Sequence, residues 1–196
     1  MNTYVIHLDH RDDRLKFYTD LVQKGVDFKI FRAFYNKDKP FMGLIESVRA
    51  IIRTEYYNES VLIMEDDIML ESKYSFRYFT EIISCIYKKN PDVSFILGGA
   101  SFVRPYSAEE GIKDPYFQIR EFSGTHCIVL FKAVYDWILD HDFKDNYDAE
   151  LSIELGSERI KAFGVYPFVA RAGNSFSDIR RAEVNDKNYF DKYQYI

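Results

Sequence analysis

The sequence predicts an α/β fold in which helices cover a mainly parallel sheet. Two short and almost wholly apolar runs, Val61–Met64 and Val93–Leu97, are typical of strands buried on both faces. The first 33 residues alternate a strand pattern, an amphipathic helix pattern and a second strand pattern, as a βαβ unit does. Strands joined through helices in this way run parallel, so these observations together favour a parallel sheet with helices on its faces.

The opening βαβ unit begins almost at the first residue. Thr3–Leu8 has the apolar content of a strand, and a polar turn over residues 9–14 follows it. A helix is predicted from there to about Lys24, because its apolar residues recur at helical spacing and Gly25 is a typical helix stop. Phe28–Ala33 completes the unit as the second strand.

Two further helices alternate with the two buried strands. After Pro40 a helix is predicted over Met42–Tyr57, whose inner face carries four apolar residues, Ile45, Val48, Ile51 and Ile52. A second amphipathic helix is predicted over Tyr74–Lys89 and ends at Asn90-Pro91, because proline cannot continue a helix. Each helix leads into one of the apolar runs.

The second half of the chain is more irregular. Residues 100–115 contain two prolines and a glycine and form the longest predicted irregular segment, a length that is usually functional. The elements predicted after it are two strands, two helices and an extended stretch: Phe117–Phe122, Thr125–Phe131, Lys132–Asp140, Asp148–Leu155 and Ala162–Ala170.

The composition predicts one globular domain and excludes several classes of protein. The chain has 196 residues, 47% of them hydrophobic and 17% aromatic, which is incompatible with disorder. Its 26 basic and 31 acidic residues give a net charge of −5, which argues against a nucleic-acid partner. The sequence shows no transmembrane run, no signal-peptide pattern and, with two cysteines, no disulfide framework. We therefore expect a cytoplasmic protein.

Three consecutive carboxylates, Glu65, Asp66 and Asp67, follow directly after the buried strand Val61–Met64. Ligands of open α/β sheets bind in the crevice at the carboxyl ends of the strands. An all-oxygen site of this kind suits Mg²⁺ or Mn²⁺, which usually also binds a substrate phosphate. We expect a divalent-cation site here. The alternative is an ordinary solvated acidic turn.

Two motifs of this sequence resemble glycosyltransferase family 25. Residues 5–14 (V-I-H-L-D-H-R-D-D-R) are similar to the family opening V-I-N-L-D-R-R-x-D-R, and residues 62–68 (L-I-M-E-D-D-I) to its L-I-L-E-D-D-V. Weaker similarities lie at residues 124–129 and 177–179. Between the two motifs the family carries G-C-x-x-S-H. Gly43 and Ser47 match that pattern here, whereas Leu44 and Val48 replace its cysteine and histidine.

The resemblance implies a single GT-A domain over residues 1–196, with a mixed, mainly parallel sheet flanked by helices. Residues 1–100 would bind the nucleotide sugar, residues 101–180 the acceptor, and residues 181–196 would form a tail. The family includes lipopolysaccharide sugar transferases and collagen galactosyltransferase domains. The implied activity is therefore transfer of a hexose from a nucleotide-diphosphate sugar to a glycan or other hydroxyl acceptor, with inversion of the anomeric centre. We expect the donor to be a UDP-sugar.

The resemblance also implies roles for the residues of both motifs. Asp67 would bind Mn²⁺ or Mg²⁺. Glu65 would address the ribose or a metal-bound water, and Asp66, grouped with the donor-binding residues, would bond to the backbone. Asp178, in the weaker match at residues 177–179, would be a further metal ligand or close over the diphosphate, with a surface turn as the alternative. The first turn would meet the donor through five residues, His7, Leu8, Asp9, Arg11 and Arg14. The alternative for the two arginines is pairing with nearby surface acids such as Asp12 and Asp13.

An inverting transfer needs one base near the acceptor hydroxyl. The candidates are Asp148, which we favour, and Glu150, both at the start of the predicted helix Asp148–Leu155. Asp148 is also a suitable N-cap, and that alternative stays open. His126 is interpreted as a hydrogen-bonded strand histidine, with a catalytic role as the alternative.

Two other classes of function stay open. A sugar-phosphate nucleotidyltransferase also uses an α/β sheet and paired carboxylates. Such an enzyme normally has a glycine-rich phosphate loop after its first strand, and residues 9–14 contain no glycine. A non-catalytic nucleotide-sugar or glycan-binding module is compatible with the replaced histidine, but Glu65 and Asp67 argue against it.

Overall fold

The computed structural model of the chain describes residues 1–71, 76–106 and 114–173, and the backbone of two short strands at 175–177 and 182–184. Its α-helices are α1 (Leu15–Gln23), α2 (Pro40–Glu55), α3 (Phe76–Lys89), α4 (Lys132–Asp140) and α5 (Tyr147–Gly156). Its strands are β1 (Asn2–His7), β2 (Lys29–Arg32), β3 (Ser60–Glu65), β4 (Ile68–Leu70), β5 (Phe95–Gly99), β6 (Phe102–Pro105), β7 (Tyr116–Ser123), β8 (Cys127–Phe131), β9 (Ala162–Val165), β10 (Ala170–Ala172), β11 (Ser175–Ser177) and β12 (Ala182–Val184). None of the described helices is long and apolar enough to cross a lipid bilayer.

Eight strands form one mixed sheet in the order β2-β1-β3-β8-β5-β9-β7-β6. β1 is parallel to both β2 and β3, and β5 is parallel to β9. β8 lies between β3 and β5 and is antiparallel to both. β2, β1, β3, β5 and β9 therefore run in one direction, and their carboxyl ends share an edge with the amino end of β8. The predicted α/β sheet flanked by helices is confirmed.

Both faces of the sheet are buried, as the apolar strand runs predict. Side chains alternate along β3, so that Val61 and Ile63 pack with one core cluster and Leu62 and Met64 with the other. α2, α4 and α5 cover the first face, and α1 and α3 cover the second. Since none of these four side chains is more than 3% exposed, the strand that precedes the three consecutive carboxylates Glu65–Asp67 (the acidic motif) is packed on both faces.

Two of the segments in which the structure differs from the sequence prediction lie in the second half of the chain. The segment predicted as irregular, residues 100–115, contains β6, which pairs with β7 at the edge of the sheet. Pro105 ends this strand, a position that an edge strand tolerates because one side of its backbone needs no partner. The extended stretch predicted over Ala162–Ala170 is divided into β9 and β10, and β10 pairs with β4. This second pairing fixes the chain that follows the acidic motif.

Candidate active site

A cleft of about 810 Å³ opens where the carboxyl ends of the parallel strands meet the start of β8. The topology brings four segments to this edge: the residues after β1, β3 and β5, and the residue before β8. The described residues that line the cleft include Leu8, Arg14, Phe34, Tyr35, Glu65, Asp66, Asp67, Ser101, Gly124, His126 and Asp148. The cleft therefore contains all three carboxylates of the acidic motif.

Asp66 is held by the first βα turn. Its Oδ2 atom lies 2.9 Å from Nδ1 of His7 and 3.4 Å from the backbone nitrogen of Leu8. The guanidinium of Arg14 donates a hydrogen bond to its Oδ1 atom. Asp66 is only 3% exposed, so its charge is balanced inside the protein rather than by solvent. His7 and Asp66, both predicted to bind the donor, thus bind each other.

Arg14 contacts Asp67 as well as Asp66. Its Nη2 atom lies 3.2 Å from Oδ2 of Asp67, and its side chain is 9% exposed. Burial acts to lower the pKa of Arg14, but the charges of Asp67 and Asp66 outweigh it, so the pKa is raised. Arg14 is therefore a buried cation in the wall of the cleft, and the alternative of a surface ion pair does not hold for this arginine.

Asp9 and Arg11 lie outside the wall of the cleft. Arg11 donates two hydrogen bonds to Asp13, from Nε at 2.8 Å and from Nη2 at 2.9 Å. The bond from Arg11 lowers the pKa of Asp13 to about 2. The side chain of Asp9 is 70% exposed and lies 3.8 Å from Nε of Arg32. Of the five first-turn residues predicted to meet the donor, Leu8 and Arg14 are the two that line the cleft.

Glu65 contacts His126, which in turn contacts Ser101. Its Oε2 atom lies 3.4 Å from Nδ1 of His126, and Nε2 of the same ring lies 2.9 Å from Oγ of Ser101. His126 and Ser101 are each 7% exposed. His126 was interpreted as a strand residue and Ser101 fell in the irregular segment. The signal that could have located Ser101 is its position two residues after a buried strand that ends in two glycines.

The two acids predicted as bases occupy different environments. Asp148 lines the cleft, and its Oδ2 atom accepts the backbone N–H of Gly124 at 2.6 Å. Glu150 lies outside the wall of the cleft, 2.6 Å from Nε2 of His141, and it also accepts the backbone N–H groups of residues 144 and 145. Burial acts to raise the pKa of Glu150, but these hydrogen bonds outweigh it, so the pKa is lowered. Glu150 thus stabilises the loop before α5.

The acidic motif can supply a metal ligand, although it does not form a complete metal site. Among the described residues, no three His, Cys, Asp or Glu side chains converge on one point, and Asp178 lies outside these residues. Asp66 is engaged by Arg14 and His7, and Asp67, the ligand expected from the sequence, lines the cleft and also contacts Arg14. One or two carboxylates are the usual protein contribution when Mg²⁺ or Mn²⁺ binds together with a substrate phosphate. The residues fit an ion that arrives with a phosphorylated ligand.

The fold and cleft define a mixed α/β protein with an acidic site at the carboxyl edge of its sheet. Neither a protein-family model nor a curated protein sequence matches this chain. Among solved structures, A197 from STIV is similar with a TM-score of 0.54 at 10% identity, over 94% of this chain and 93% of that one. A glycosyltransferase involved in the glycosylation of the major capsid of PBCV-1 is similar with a TM-score of 0.51 at 10% identity, over 96% and 98%.

UDP-glucose pyrophosphorylase from Acinetobacter baumanii has a TM-score of 0.49 at 11% identity, over 98% of this chain and 75% of that one. At such identities the similarity to A197 and to the PBCV-1 glycosyltransferase establishes the fold alone. The chain has the α/β fold of a known glycosyltransferase, and membership of glycosyltransferase family 25 stays a prediction.

Proposed function

We propose that the protein transfers a sugar from a nucleoside-diphosphate sugar to a hydroxyl group of a glycan or other acceptor, with inversion of the anomeric centre. The resemblance in sequence favours a hexose as this sugar. UDP is the nucleotide that the same resemblance favours. The observation that carries the proposal is the acidic motif Glu65–Asp67 at the carboxyl end of β3, inside a cleft of about 810 Å³. The fold shared with the PBCV-1 glycosyltransferase supports it.

The donor side of the cleft lies between the first βα turn and the acidic motif. In the proposed reaction the acceptor oxygen attacks the anomeric carbon while the bond from that carbon to the diphosphate breaks, and the electron pair leaves with the nucleotide. Arg14 would face the charge that develops on the diphosphate, since a preorganised cation favours that charge most in a site shielded from water. Asp67 and, as predicted from the sequence, Asp178 would hold a Mg²⁺ or Mn²⁺ ion that binds together with the diphosphate. Such an ion would further stabilise the charge on the departing nucleotide.

The acceptor side of the cleft contains two groups that can accept a proton. Asp148, the base favoured from the sequence, lines the cleft, whereas Glu150 is tied to His141 and to two backbone amides. His126 also lines the cleft and contacts Ser101. We therefore place the acceptor hydroxyl near Asp148, Ser101 and His126.

The proposal is tested by equilibrium binding of nucleotides. UDP, GDP and dTDP, and the corresponding sugars, are titrated by calorimetry with Mn²⁺ and with EDTA, and the melting temperature is recorded in parallel. We expect one nucleotide series to bind and to raise the melting temperature, because a ligand at 100 times its Kd adds about 2.7 kcal/mol to the free energy of unfolding.

A matched pair of variants locates the binding site. Asp67→Ala should remove the part of the affinity that depends on Mn²⁺, whereas Asp92→Ala, an exposed acid paired with Lys161, should leave it unchanged. If no nucleotide binds at millimolar concentration, the proposed function is wrong.

A further inference from the structure

Ser101, His126 and Glu65 form a continuous hydrogen-bonded set across the floor of the cleft. The His126 ring joins the other two, with Nε2 at 2.9 Å from Oγ of Ser101 and Nδ1 at 3.4 Å from Oε2 of Glu65. The backbone holds the set in place, because the N–H of Glu65 donates to the carbonyl of His126 at 3.1 Å and the N–H of Ser101 donates to the carbonyl of Ser123 at 2.8 Å. The set therefore belongs to the rigid edge of the sheet.

The order of the three groups determines where the protons lie. An ionised Glu65 can only accept a hydrogen bond, so the Nδ1 atom that faces it carries the proton of the neutral imidazole. Nε2 is then an acceptor, and it takes the hydroxyl proton of Ser101. The Ser101 oxygen, having donated its proton, can accept a hydrogen bond from a hydroxyl group of a ligand. Serine, histidine and a carboxylate act in this order in hydrolases of unrelated fold.

Gly124 leaves this set open to the cleft. A Cβ atom on Gly124 would lie 2.7 Å from Oγ of Ser101 and 3.2 Å from Nε2 of His126, so any side chain would cover both groups. The φ angle of Gly124 is +84°, which favours glycine for a second reason. Asp148 fixes this residue through the 2.6 Å hydrogen bond from the Gly124 amide to its carboxylate.

We propose that Ser101 and His126 accept the proton of the acceptor hydroxyl, that Glu65 orients His126, and that Asp148 is a positioning residue that holds Gly124. As the acceptor oxygen bonds to the anomeric carbon, its proton passes to Oγ of Ser101 while the hydroxyl proton of Ser101 passes to Nε2 of His126. The imidazolium is stabilised by Glu65, and its proton then leaves to solvent through the cleft. This relay rests on the proposed function, since the reaction it serves is sugar transfer.

The experiment measures release of UDP from the UDP-sugar that binds most tightly, with Mn²⁺ present and with water as the acceptor. His126→Ala should lower kcat by roughly 10²–10⁴, the usual contribution of a general base, with affinity for UDP unchanged within about twofold. Ser101→Ala should lower kcat less, because a water molecule can occupy the space of its hydroxyl.

Chemical rescue separates a proton acceptor from a structural residue. Imidazole added to His126→Ala should restore much of kcat, because the vacated space lies in an open cleft, while formate should not. The matched control is Asp148→Ala, which we expect neither imidazole nor formate to restore, because its defect is a displaced Gly124 turn. A merely structural histidine would not be replaced by imidazole in solution.

Three results would overturn the relay. If kcat is unchanged in both His126→Ala and Ser101→Ala, the protein has no such relay. If formate restores the kcat of Asp148→Ala, Asp148 is the base. If folded His126→Ala has a lowered kcat that imidazole does not restore, the role of His126 is structural. Ser101→Ala removes a single oxygen, so it keeps the test valid if His126→Ala fails to fold. In each case the nucleotide still binds, whereas absence of nucleotide binding overturns the proposed function and the relay with it.

Discussion

The guanidinium of Arg14 lies 3.2 Å from Oδ2 of Asp67 and also donates a hydrogen bond to Asp66. The turn after β1 and the acidic motif after β3 therefore form one buried ion-pair cluster, although 52 residues separate Arg14 from Asp66 in the chain. His7 adds a third contact between the same two segments. The side chains of the first βα turn thus orient the acidic motif.

Arg14→Ala should lower the free energy of unfolding by about 3–5 kcal/mol, because it leaves two buried carboxylates without their cation. Urea denaturation measures the change. Arg77→Ala is the matched control. It breaks a pair with Glu81 whose side chains are 86% and 61% exposed, so it should have little effect. Equal midpoints for the two variants would show that the buried cluster does not stabilise the fold.

Glu150→Gln should destabilise the protein and leave turnover intact. The substitution removes the charge that binds His141 and two backbone amides, outside the wall of the cleft. We expect a loss of about 1 kcal/mol, seen as a fall of about 2–4 °C in melting temperature. UDP release by the same preparation should match the wild type. A loss of turnover without a loss of stability would restore Glu150 as a candidate base.

The lowered pKa of Glu150 predicts a specific acid sensitivity. The unfolded chain takes up the proton of this carboxyl near pH 4.3, roughly its ordinary pKa, while the folded chain takes it up at lower pH. The contribution of Glu150 to the free energy of unfolding is therefore complete above the pKa of the unfolded chain, and it is lost as the pH falls through the pKa of the folded chain. Urea denaturation between about pH 3 and pH 7 should show that the free energy of unfolding falls less with acid in Glu150→Gln than in the wild type. Parallel curves of stability against pH would contradict the lowered pKa of Glu150.

Gly124→Ala should be more damaging than the same substitution at Gly156. At Gly124 a Cβ atom meets the Ser101 backbone nitrogen at 2.9 Å and the residue has a positive φ, so we expect a cost of about 1–3 kcal/mol. At Gly156, the last residue of α5, a Cβ atom meets nothing within 4 Å, and alanine should be neutral or slightly stabilising. Thermal unfolding of both variants checks the difference, and similar melting temperatures would contradict it.

Local patterns in the sequence were enough to predict most helices and strands. The inward positions of β3 and α2 follow from apolar spacing, and Lys132–Asp140 begins and ends where predicted. The antiparallel placement of β8 between β3 and β5 was not predictable in this way, because strand order depends on contacts between distant segments. β6 was missed for the same reason, since its pairing with β7 is what makes it a strand.

The candidate site was predictable only in part. Glu65, Asp66 and Asp67 stand out because three acids directly follow a buried strand. The partners of these acids do not stand out. His7 and Arg14 reach Asp66 from a different strand end, and His126 reaches Glu65 across 61 residues of sequence. Ser101 is marked in the sequence only by its position after the buried strand that ends in two glycines, and its contact with His126 is what makes it part of the site.

Product analysis of a nucleotide sugar, with and without added pyrophosphate, tests the central claim most directly. The protein is incubated with the UDP-sugar that binds it and with Mn²⁺, and the nucleotides formed are separated by chromatography. Sugar transfer predicts UDP as the nucleotide product in both conditions, at a rate that Asp67→Ala reduces strongly. Formation of UTP that depends on pyrophosphate would identify a nucleotidyltransferase instead, and an intact nucleotide sugar in both conditions would identify a protein that binds without catalysis.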